Sequence, residues 1–449
     1  MHTLFHSSVY DDTRPVESYW EAGAPPPPDG LRPLEAEESC DVAVIGGGYT
    51  GLSAALHLAR DHGIDVRVLE AGHIGWGASG RNGGFCCLPA SKLSIQAMIA
   101  RYGLDETKRF YAAQLDGIEL VRALGEDEGI DYERRGEGNL TVAHGPGRFR
   151  ELEEEAEALT RLFGIETRLY GREEFAEVGY DSSEQFGALH MAAGFALDPL
   201  KFAIGLGRAA QRRGAQLHPH SRVLDWQRAQ GRHRLVTAGG SLAARRVIVA
   251  TNGFTREGLH PAFDGRVLPA LSNIVTTRPL TEDELAAQKW RTENPICNTR
   301  QLLFYYRLLP DRSFLFGARG DTTGRPEDGA RMKAWIVRRL GAVFPHWRDV
   351  TIRHFWRGLV CFTRDLTPAV GRLEDDPGVW YAYGYHANGV NTAPWTGRAL
   401  ARLVAGAESE ERALPAVMAG PARRFPFAAL RPWYLRGAWL YYRMTDDLR

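Results

Sequence analysis

Residues 41–51 read Asp41-Val42-Ala43-Val44-Ile45-Gly46-Gly47-Gly48-Tyr49-Thr50-Gly51. The first five are mostly apolar and predict a buried strand, and three glycines follow at the spacing G-x-G-x-x-G. Residues 52–58 carry apolar side chains at helical spacing, and residues 65–69 predict a second short strand that ends at Glu70. This order predicts a dinucleotide-binding unit in which Glu70 accepts hydrogen bonds from a ribose diol.

The glycines of this unit each have a physical role. Gly46 permits a tight turn, Gly48 lets the backbone approach a pyrophosphate, and Gly51 lets the helix pack closely on the strand. The helix N-terminus at Tyr49 and Thr50 offers free N–H groups and the positive end of the helix dipole. A glycine-rich turn without a ligand is the alternative, and it is disfavoured because every part of the unit is present at the expected spacing.

Three further segments predict contacts with the same ligand. Residues 71–84 are too rich in small residues for a core and suit a backbone laid along an extended ligand. Residues 246–253 form an apolar strand that ends in a small-residue turn, and residues 380–390 form a strand followed by a glycine turn and a helix. The predicted contacts are Ala71, Gly77, Ala78, Ser79, Arg81, Asn82, Gly83, Gly84, Val223, Ala250, Thr251, Asn252, Gly253, Gly384, Asn388, Gly389 and Val390.

Together these segments resemble the D-amino-acid-oxidase superfamily of FAD-dependent oxidoreductases, and within it the γ-glutamylputrescine oxidoreductase-like group. The resemblance rests on residues 40–57 and 74–84, on Leu197-Asp198-Pro199, on Trp356-Arg357-Gly358, on Thr363-x-Asp365-x-x-Pro368-x-x-Gly371 and on the turn at 384–389. It extends over most of the chain. It implies FAD as the cofactor and adds Trp356 and Gly358 to the predicted contacts.

The resemblance also implies a fold of α/β and α+β class, in which a Rossmann-like FAD-binding domain is interleaved with an antiparallel-sheet substrate domain. We expect an irregular N-terminal arm over residues 1–36, since residues 25–28 are all proline. The FAD-binding domain is predicted over 37–97, 198–262 and 355–449. The substrate domain is predicted over 98–197 and 263–354.

Composition restricts the class of protein. The 449 residues are 44% apolar, and 55 basic residues balance 55 acidic ones, so nothing indicates a nucleic acid or an anionic membrane as partner. Five cysteines without a C-x-x-C motif argue against a disulfide framework and against a bound metal. There is no recognisable signal peptide and no run of 18 apolar residues. We therefore expect a cytoplasmic monomer or small homo-oligomer without membrane insertion.

The resemblance implies oxidation of the C–N bond of an amine or amino acid. Hydride passes to flavin N5, water hydrolyses the imine, and oxygen or another acceptor takes up the electrons. Tyr305 and Arg307 alternate on one face of a predicted strand, and Arg307 is the candidate for binding a substrate carboxylate. Arg81, in the small-residue run, is a second candidate, and His386 is a candidate positive group near the flavin. The alternative for each is a purely structural role.

The sequence departs from the related oxidases at three points. Their Gly-His-Gly turn is Ala387-Asn388-Gly389 here, and residues 314–319 lack the lysine that promotes reaction with oxygen, leaving Arg319 as the nearest cation. We therefore expect slow reoxidation by oxygen and faster reoxidation by a quinone or a dye. Cys361 is out of register with the cysteine that attaches flavin in some relatives, and we expect FAD to be bound non-covalently.

Two other functional classes stay open. An NAD(P)H-dependent flavin monooxygenase is disfavoured because no second G-x-G-x-x-G follows a strand. A non-catalytic flavin-binding protein is compatible with the same motifs. Reduction of the flavin by an amine, or by NADPH alone, separates these classes from an amine oxidoreductase.

Overall fold

The computed structural model describes residues 3–229, 231–406 and 413–446. The other residues of the predicted domain ranges lie outside this description. The helices are α1 (Tyr19–Ala22), α2 (Tyr49–His62), α3 (Ile95–Tyr102), α4 (Leu104–Asp127), α5 (Phe149–Phe163), α6 (Arg172–Val178), α7 (Pro199–Arg212), α8 (Glu282–Ala287), α9 (Pro326–Val343), α10 (Gly389–Val404) and α11 (Arg431–Thr445).

The chain also contains eighteen strands within the described residues. They are β1 (Glu37–Ile45), β2 (Val66–Leu69), β3 (Phe85–Cys86), β4 (Asn139–Val142), β5 (Thr167–Tyr170), β6 (Ala188–Met191), β7 (Phe195–Ala196), β8 (Gln216–His218), β9 (Asp225–Ala229), β10 (Arg232–Val236), β11 (Ser241–Val249), β12 (Val267–Pro279), β13 (Ile296–Asn298), β14 (Phe304–Leu308), β15 (Ser313–Arg319), β16 (Ile352–Thr363), β17 (Ala369–Arg372) and β18 (Val379–Tyr383).

The first sheet is built around β1, which pairs in parallel with β11 and β2. Its strand order is β17-β18-β11-β1-β2-β8, with β9 and β10 added beside β11. Helices α2, α7 and α10 pack together over one side, and residues such as Val42, Val44 and Leu52 are fully buried there. Strands buried on both faces read as continuous apolar runs, which is why residues 41–45 lack polar alternation.

The second sheet combines two distant parts of the chain. Its order is β16-β12-β15-β14-β13-β4-β6-β5, so strands from residues 139–191 extend strands from residues 267–363. One face packs under α9 through an aromatic core that includes Phe304, Tyr306 and Phe316. The two sheets confirm the predicted fold class. Strand β16, which the predicted boundary at residue 355 divides, lies wholly in the second sheet.

The N-terminal arm packs on the body of the protein. Trp20, on α1, is only 1% exposed, and its indole N–H donates to the Asn82 carbonyl at 2.9 Å. No helix of the described part is long and apolar enough to cross a membrane. Within residues 3–229, 231–406 and 413–446, no three His, Cys, Asp or Glu side chains cluster as a metal site.

Candidate active site

A cavity of about 410 Å³ runs between the two sheets. One end, which we call the helix end, lies at the N-terminus of α2 and includes Gly46, Gly48 and Glu70. The other, which we call the sheet end, lies against the second sheet and includes Ser272, Tyr305, Cys297 and Arg319. The volume of the whole cavity is typical of a small-molecule site.

The helix end is shaped by glycine and serine. Gly48 is the N-cap of α2 and has no side chain to occupy the free N–H groups of the first turn. A Cβ atom at Gly48 would lie 2.7 Å from Ser79 Oγ, which itself accepts the Tyr49 N–H at 2.9 Å. Gly46 has φ +113°, a conformation that favours glycine. The Tyr49 N–H is taken by Ser79, which leaves the Gly48 and Thr50 N–H groups as the backbone donors open to an anionic group at this end.

Glu70 is held rigidly beside this turn. One carboxylate oxygen accepts the Gly47 N–H at 2.6 Å and the other accepts the Gly72 N–H at 2.9 Å. Burial raises the pKa of Glu70, while these two donors lower it. Each oxygen keeps a lone pair, and Glu70 lines the cavity, so it can still accept a ribose hydroxyl.

Arg81 lies over the Trp76 ring, with its guanidinium carbon 4.3 Å from the ring centroid. Its Nε donates to the Trp76 carbonyl at 2.7 Å, and its buried Nη2 has no hydrogen-bond partner among the described residues. Trp356 supports this loop because its indole N–H donates to the Arg81 carbonyl at 2.8 Å. Burial lowers the pKa of Arg81 to about 10, so the guanidinium stays charged at neutral pH.

The N-terminus of α10 closes the middle of the cavity. Asn388, the residue before this helix, donates its amide to the Pro89 carbonyl at 2.6 Å and accepts from Cys87 Sγ at 3.6 Å. His386 is fully buried, and its Nε2 lies 3.3 Å from Thr363 Oγ1. Burial lowers the pKa of His386 to about 3, so the ring is neutral at physiological pH. This shift disfavours His386 as the source of positive charge near the flavin, and that role stays a prediction.

Tyr305 is positioned at the sheet end by strand register. It pairs with Gly317 on β15 and with Cys297 on β13, so these residues share one face. A side chain at Gly317 would overlap the Tyr305 ring, and the missing Cβ leaves room for it. The Tyr305 hydroxyl lies 2.8 Å from the Ser272 hydroxyl. Burial raises the pKa of Tyr305, so it is a neutral hydrogen-bonding group.

Most predicted contacts line the cavity, but several do not. Those that do are Gly46, Gly48, Tyr49, Thr50, Glu70, Ala71, Gly77, Ala78, Ser79, Arg81, Asn82, Gly83, Val223, Ala250, Thr251, Asn252, Gly358, Asn388, Gly389 and Val390, together with Tyr305 and His386. Gly51, Gly84, Gly253, Trp356 and Gly384 do not line it. A side chain at Gly51 would overlap the Gly46 carbonyl, so this glycine serves helix packing, and Trp356 acts through Arg81.

Arg307 does not line the cavity, which corrects its predicted role. Its Nε donates to the Gly83 carbonyl at 3.0 Å, and its Nη2 donates to the Leu197 carbonyl at 2.6 Å. Its guanidinium also lies 5.2 Å from the Trp20 ring centroid. Alternation places Arg307 on the same strand face as Tyr305, but the arm and the 83–84 loop cover it there. Arg307 is a structural cation.

Lys92 also lines the cavity, although no sequence motif predicted it. This residue follows the small-residue run on the loop between β3 and α3, and its side chain lines the cavity near Arg319. Lys92 is exposed and lines the cavity, and desolvation together with the Arg319 charge lowers its pKa to about 7. Residues 314–319 carry no lysine, as the sequence shows, but Lys92 lines the cavity from a different segment of the chain. The only sequence feature that singles out Lys92 is the rarity of lysine, of which the chain has five.

Residues 41–403 match the protein family described as FAD dependent oxidoreductase. The chain belongs to this family. It is 34% identical over 429 residues to the γ-glutamylputrescine oxidoreductase of Escherichia coli (strain K12), and the alignment covers 92% of this chain and 95% of that one. It is 24% identical to the glycine oxidase of Bacillus subtilis (strain 168), over 81% of this chain and 92% of that one. The crystal structure of glycine oxidase from Geobacillus kaustophilus aligns with a TM-score of 0.68 at 23% identity, over 82% and 95% of the two chains.

The match confirms the resemblance and makes the protein an FAD-dependent oxidoreductase. Its residues fit the cofactor: free N–H groups at the α2 N-terminus suit the pyrophosphate, and Glu70 suits the adenosine ribose. Arg81 and the α10 N-terminus line the cavity between that site and the second sheet, and they would hold the flavin ring.

Proposed function

We propose that this oxidoreductase oxidises the C–N bond of a small amine, with a γ-glutamylputrescine-like primary or secondary amine as the leading candidate. The whole-length similarity to the γ-glutamylputrescine oxidoreductase carries this proposal. Bound FAD supplies the hydride acceptor for such a reaction. The protein then has to orient the amine, admit it in the neutral form, and exclude bulk water.

The sheet end of the cavity suits these tasks. Tyr305 and Ser272 present paired hydroxyls, and Cys297 and Ile274 extend the same lining with less polar groups. Tyr305 is fixed between Gly317 and Phe85, whose ring centroid is 5.8 Å away in an edge-to-face arrangement. A rigid lining of this kind positions a substrate carbon without a strong nucleophile.

Anaerobic reduction of the flavin tests the proposal. We expect one or more amines to bleach the absorbance near ~450 nm, a property of oxidised flavin. γ-Glutamylputrescine, other polyamine conjugates, N-methyl amino acids and simple amino acids form the screen. Bleaching by NADPH alone would instead indicate a monooxygenase. A flavin that no member of the screen reduces would indicate a non-catalytic flavoprotein.

We propose oxygen as the electron acceptor. The sequence argument for slow reoxidation rested on missing cations, whereas Lys92 and Arg319 both face the cavity. Nearby positive charge stabilises the superoxide anion that forms on the first electron transfer. Stopped-flow mixing of photoreduced enzyme with oxygen, with a quinone as comparison, tests this. Reoxidation by oxygen far slower than substrate turnover would identify a dehydrogenase.

A further inference from the structure

An exposed apolar stripe runs along the last described helix, α11. Six of the eleven large apolar side chains that are exposed in the described part of the chain lie between residues 430 and 444. Their spacing of three, four and seven residues places them on one side of the helix. We call this surface the aromatic face, and its members, each 37% to 64% exposed, are Leu430, Trp433, Tyr434, Leu440, Tyr441 and Met444. A contiguous apolar patch of this kind marks a surface that contacts another surface.

The fold holds this helix in place from its other side. At the N-terminal end the buried Arg431 donates to Glu257 at 2.7 Å. At the C-terminal end the Asp446 carboxylate accepts the Gln301 N–H at 2.9 Å. Between these anchors Leu435 packs against an apolar cluster of the body of the protein. The aromatic face therefore points outward because the opposite side of the helix is attached.

The segment that carries the aromatic face is cationic. Residues 421–445 contain five arginines and no aspartate or glutamate, an excess that the zero net charge of the whole chain conceals. Arg436 and Arg443 lie over rings of their own helix, with guanidinium carbons 4.8 Å from the Trp433 centroid and 5.2 Å from the Trp439 centroid. Neither arginine forms an ion pair with another described residue. Aromatic and basic side chains without acidic ones are typical of helices that lie in the headgroup layer of a membrane.

We propose that the aromatic face binds the surface of an anionic lipid bilayer. Trp433 and Tyr441 enter the boundary between headgroups and acyl chains, since each combines an apolar ring with a polar atom. Arg436 and Arg443 contact the lipid phosphates. The helix lies on the bilayer and does not cross it. This inference goes beyond amine oxidation and does not depend on the substrate.

A second copy of the chain fits the aromatic face less well. The helix has 15 residues and is therefore roughly 22 Å long, so a strip about 10 Å wide presents only a few hundred Å². A stable protein interface needs about 800 Å² from each partner. Symmetric pairing of two such faces would also bring Arg436 and Arg443 close to the same arginines of the other copy, which is unfavourable.

Cosedimentation of the FAD-loaded full-length enzyme with large unilamellar vesicles tests the proposal. We expect binding to vesicles of phosphatidylglycerol and phosphatidylcholine in equal amounts. The partition coefficient should be at least about tenfold lower for phosphatidylcholine alone, which carries no net charge. It should also fall steeply in about 0.5 M salt, which screens the attraction between arginine and phosphate.

Paired arginine variants test the charge contribution. Arg436→Gln combined with Arg443→Gln should lower the partition coefficient by about 25-fold, or roughly fivefold for each charge removed. Arg150→Gln combined with Arg161→Gln, the same change on exposed positions of α5, should leave it unaltered. Arg436→Lys with Arg443→Lys keeps the charge and should keep the binding within about threefold, which separates a loss of charge from a loss of structure.

A serine substitution tests the apolar contribution. Leu440→Ser should weaken vesicle binding by about fivefold because less apolar surface enters the bilayer. Leu104→Ser, at an exposed position of α4, is the matched control and should bind as the wild type does. FAD content and the thermal unfolding midpoint should stay unchanged in both variants.

Three results would overturn the proposal. One is equal sedimentation with anionic and with neutral vesicles, or with neither. Another is unchanged partition in both the paired Gln variant and Leu440→Ser. The third is a concentration-dependent dimer in sedimentation velocity that Leu440→Ser dissociates, which would assign the aromatic face to a second copy. Vesicle binding with these dependences, in a protein whose flavin no amine reduces, would support the membrane contact and overturn the proposed function.

Discussion

Replacement of Glu70 by Gln tests the cofactor site most directly. The two carboxylate oxygens accept the Gly47 N–H at 2.6 Å and the Gly72 N–H at 2.9 Å. Gln keeps one acceptor oxygen, so in either orientation one backbone N–H faces an amide N–H group. Glu70 is only 7% exposed, and water therefore cannot fully replace the lost bond. A hydrogen bond to a charged group contributes about 1.5–3 kcal/mol.

We expect two separable effects of that size. The unfolding free energy of the apoprotein should fall by about 1–3 kcal/mol because the turn loses one anchor. The free energy of FAD binding should fall by a further ~1–3 kcal/mol, or about 5- to 150-fold in Kd, if the remaining lone pairs hold the ribose. Denaturant unfolding of the apoprotein measures the first effect, and flavin fluorescence during reconstitution measures the second.

The assay belongs near pH 8, since burial raises the pKa of Glu70 and the carboxylate must be ionised in the wild type. Glu35→Gln, on an exposed position of the arm, is the matched control and should change neither quantity. An unchanged Kd for FAD in Glu70→Gln would refute the ribose assignment. A fall in stability alone would leave Glu70 as an anchor of the turn.

The remaining predictions concern the cofactor, the buried arginine and pH. Gly48→Val should abolish FAD binding, since its Cβ would already lie 2.7 Å from Ser79 Oγ, while Gly147→Val, in open space, should not; FAD content after purification measures this. Acid denaturation should release all flavin as FAD into the supernatant, and yellow precipitated protein would show covalent attachment. Arg307→Met should lower the unfolding free energy by about 2 kcal/mol and leave the KM for the amine unchanged, whereas a raised KM at normal stability would restore its predicted substrate role. The folded pKa of His386, about 3, lies below its ordinary value of 6.5. Between these two values the unfolded chain binds a proton that the folded protein does not, so the unfolding free energy decreases as the pH is lowered. Between pH 7 and pH 5 this loss is about 2 kcal/mol, and denaturant unfolding of His386→Gln should show a profile flatter by that amount.

The sequence alone predicted those parts of the candidate site that are formed by residues close together in the chain. The turn at residues 46–51 follows from glycine spacing between a strand and a helix, and the groups that accept the Gly46, Gly47 and Tyr49 N–H groups lie within 30 residues along the chain. The small-residue run at residues 71–84 likewise marked a backbone that lines the cavity, since seven of its eight predicted residues do so. Local patterns of this kind depend on backbone geometry, which neighbouring residues largely determine.

Only the tertiary structure decided which side chains reach the substrate. Strand alternation places Tyr305 and Arg307 on the same face of β14. Only Arg307 is covered there, because Trp20 of the N-terminal arm lies against it and the Gly83 and Leu197 carbonyls accept its hydrogen bonds. Lys92 lies near Arg319, 227 positions away in the chain, because hydrogen bonds to the Leu366 carbonyl hold the loop that carries it beside the second sheet. No periodicity encodes such long-range packing, since it depends on how two sheets built from interleaved segments close around one cavity.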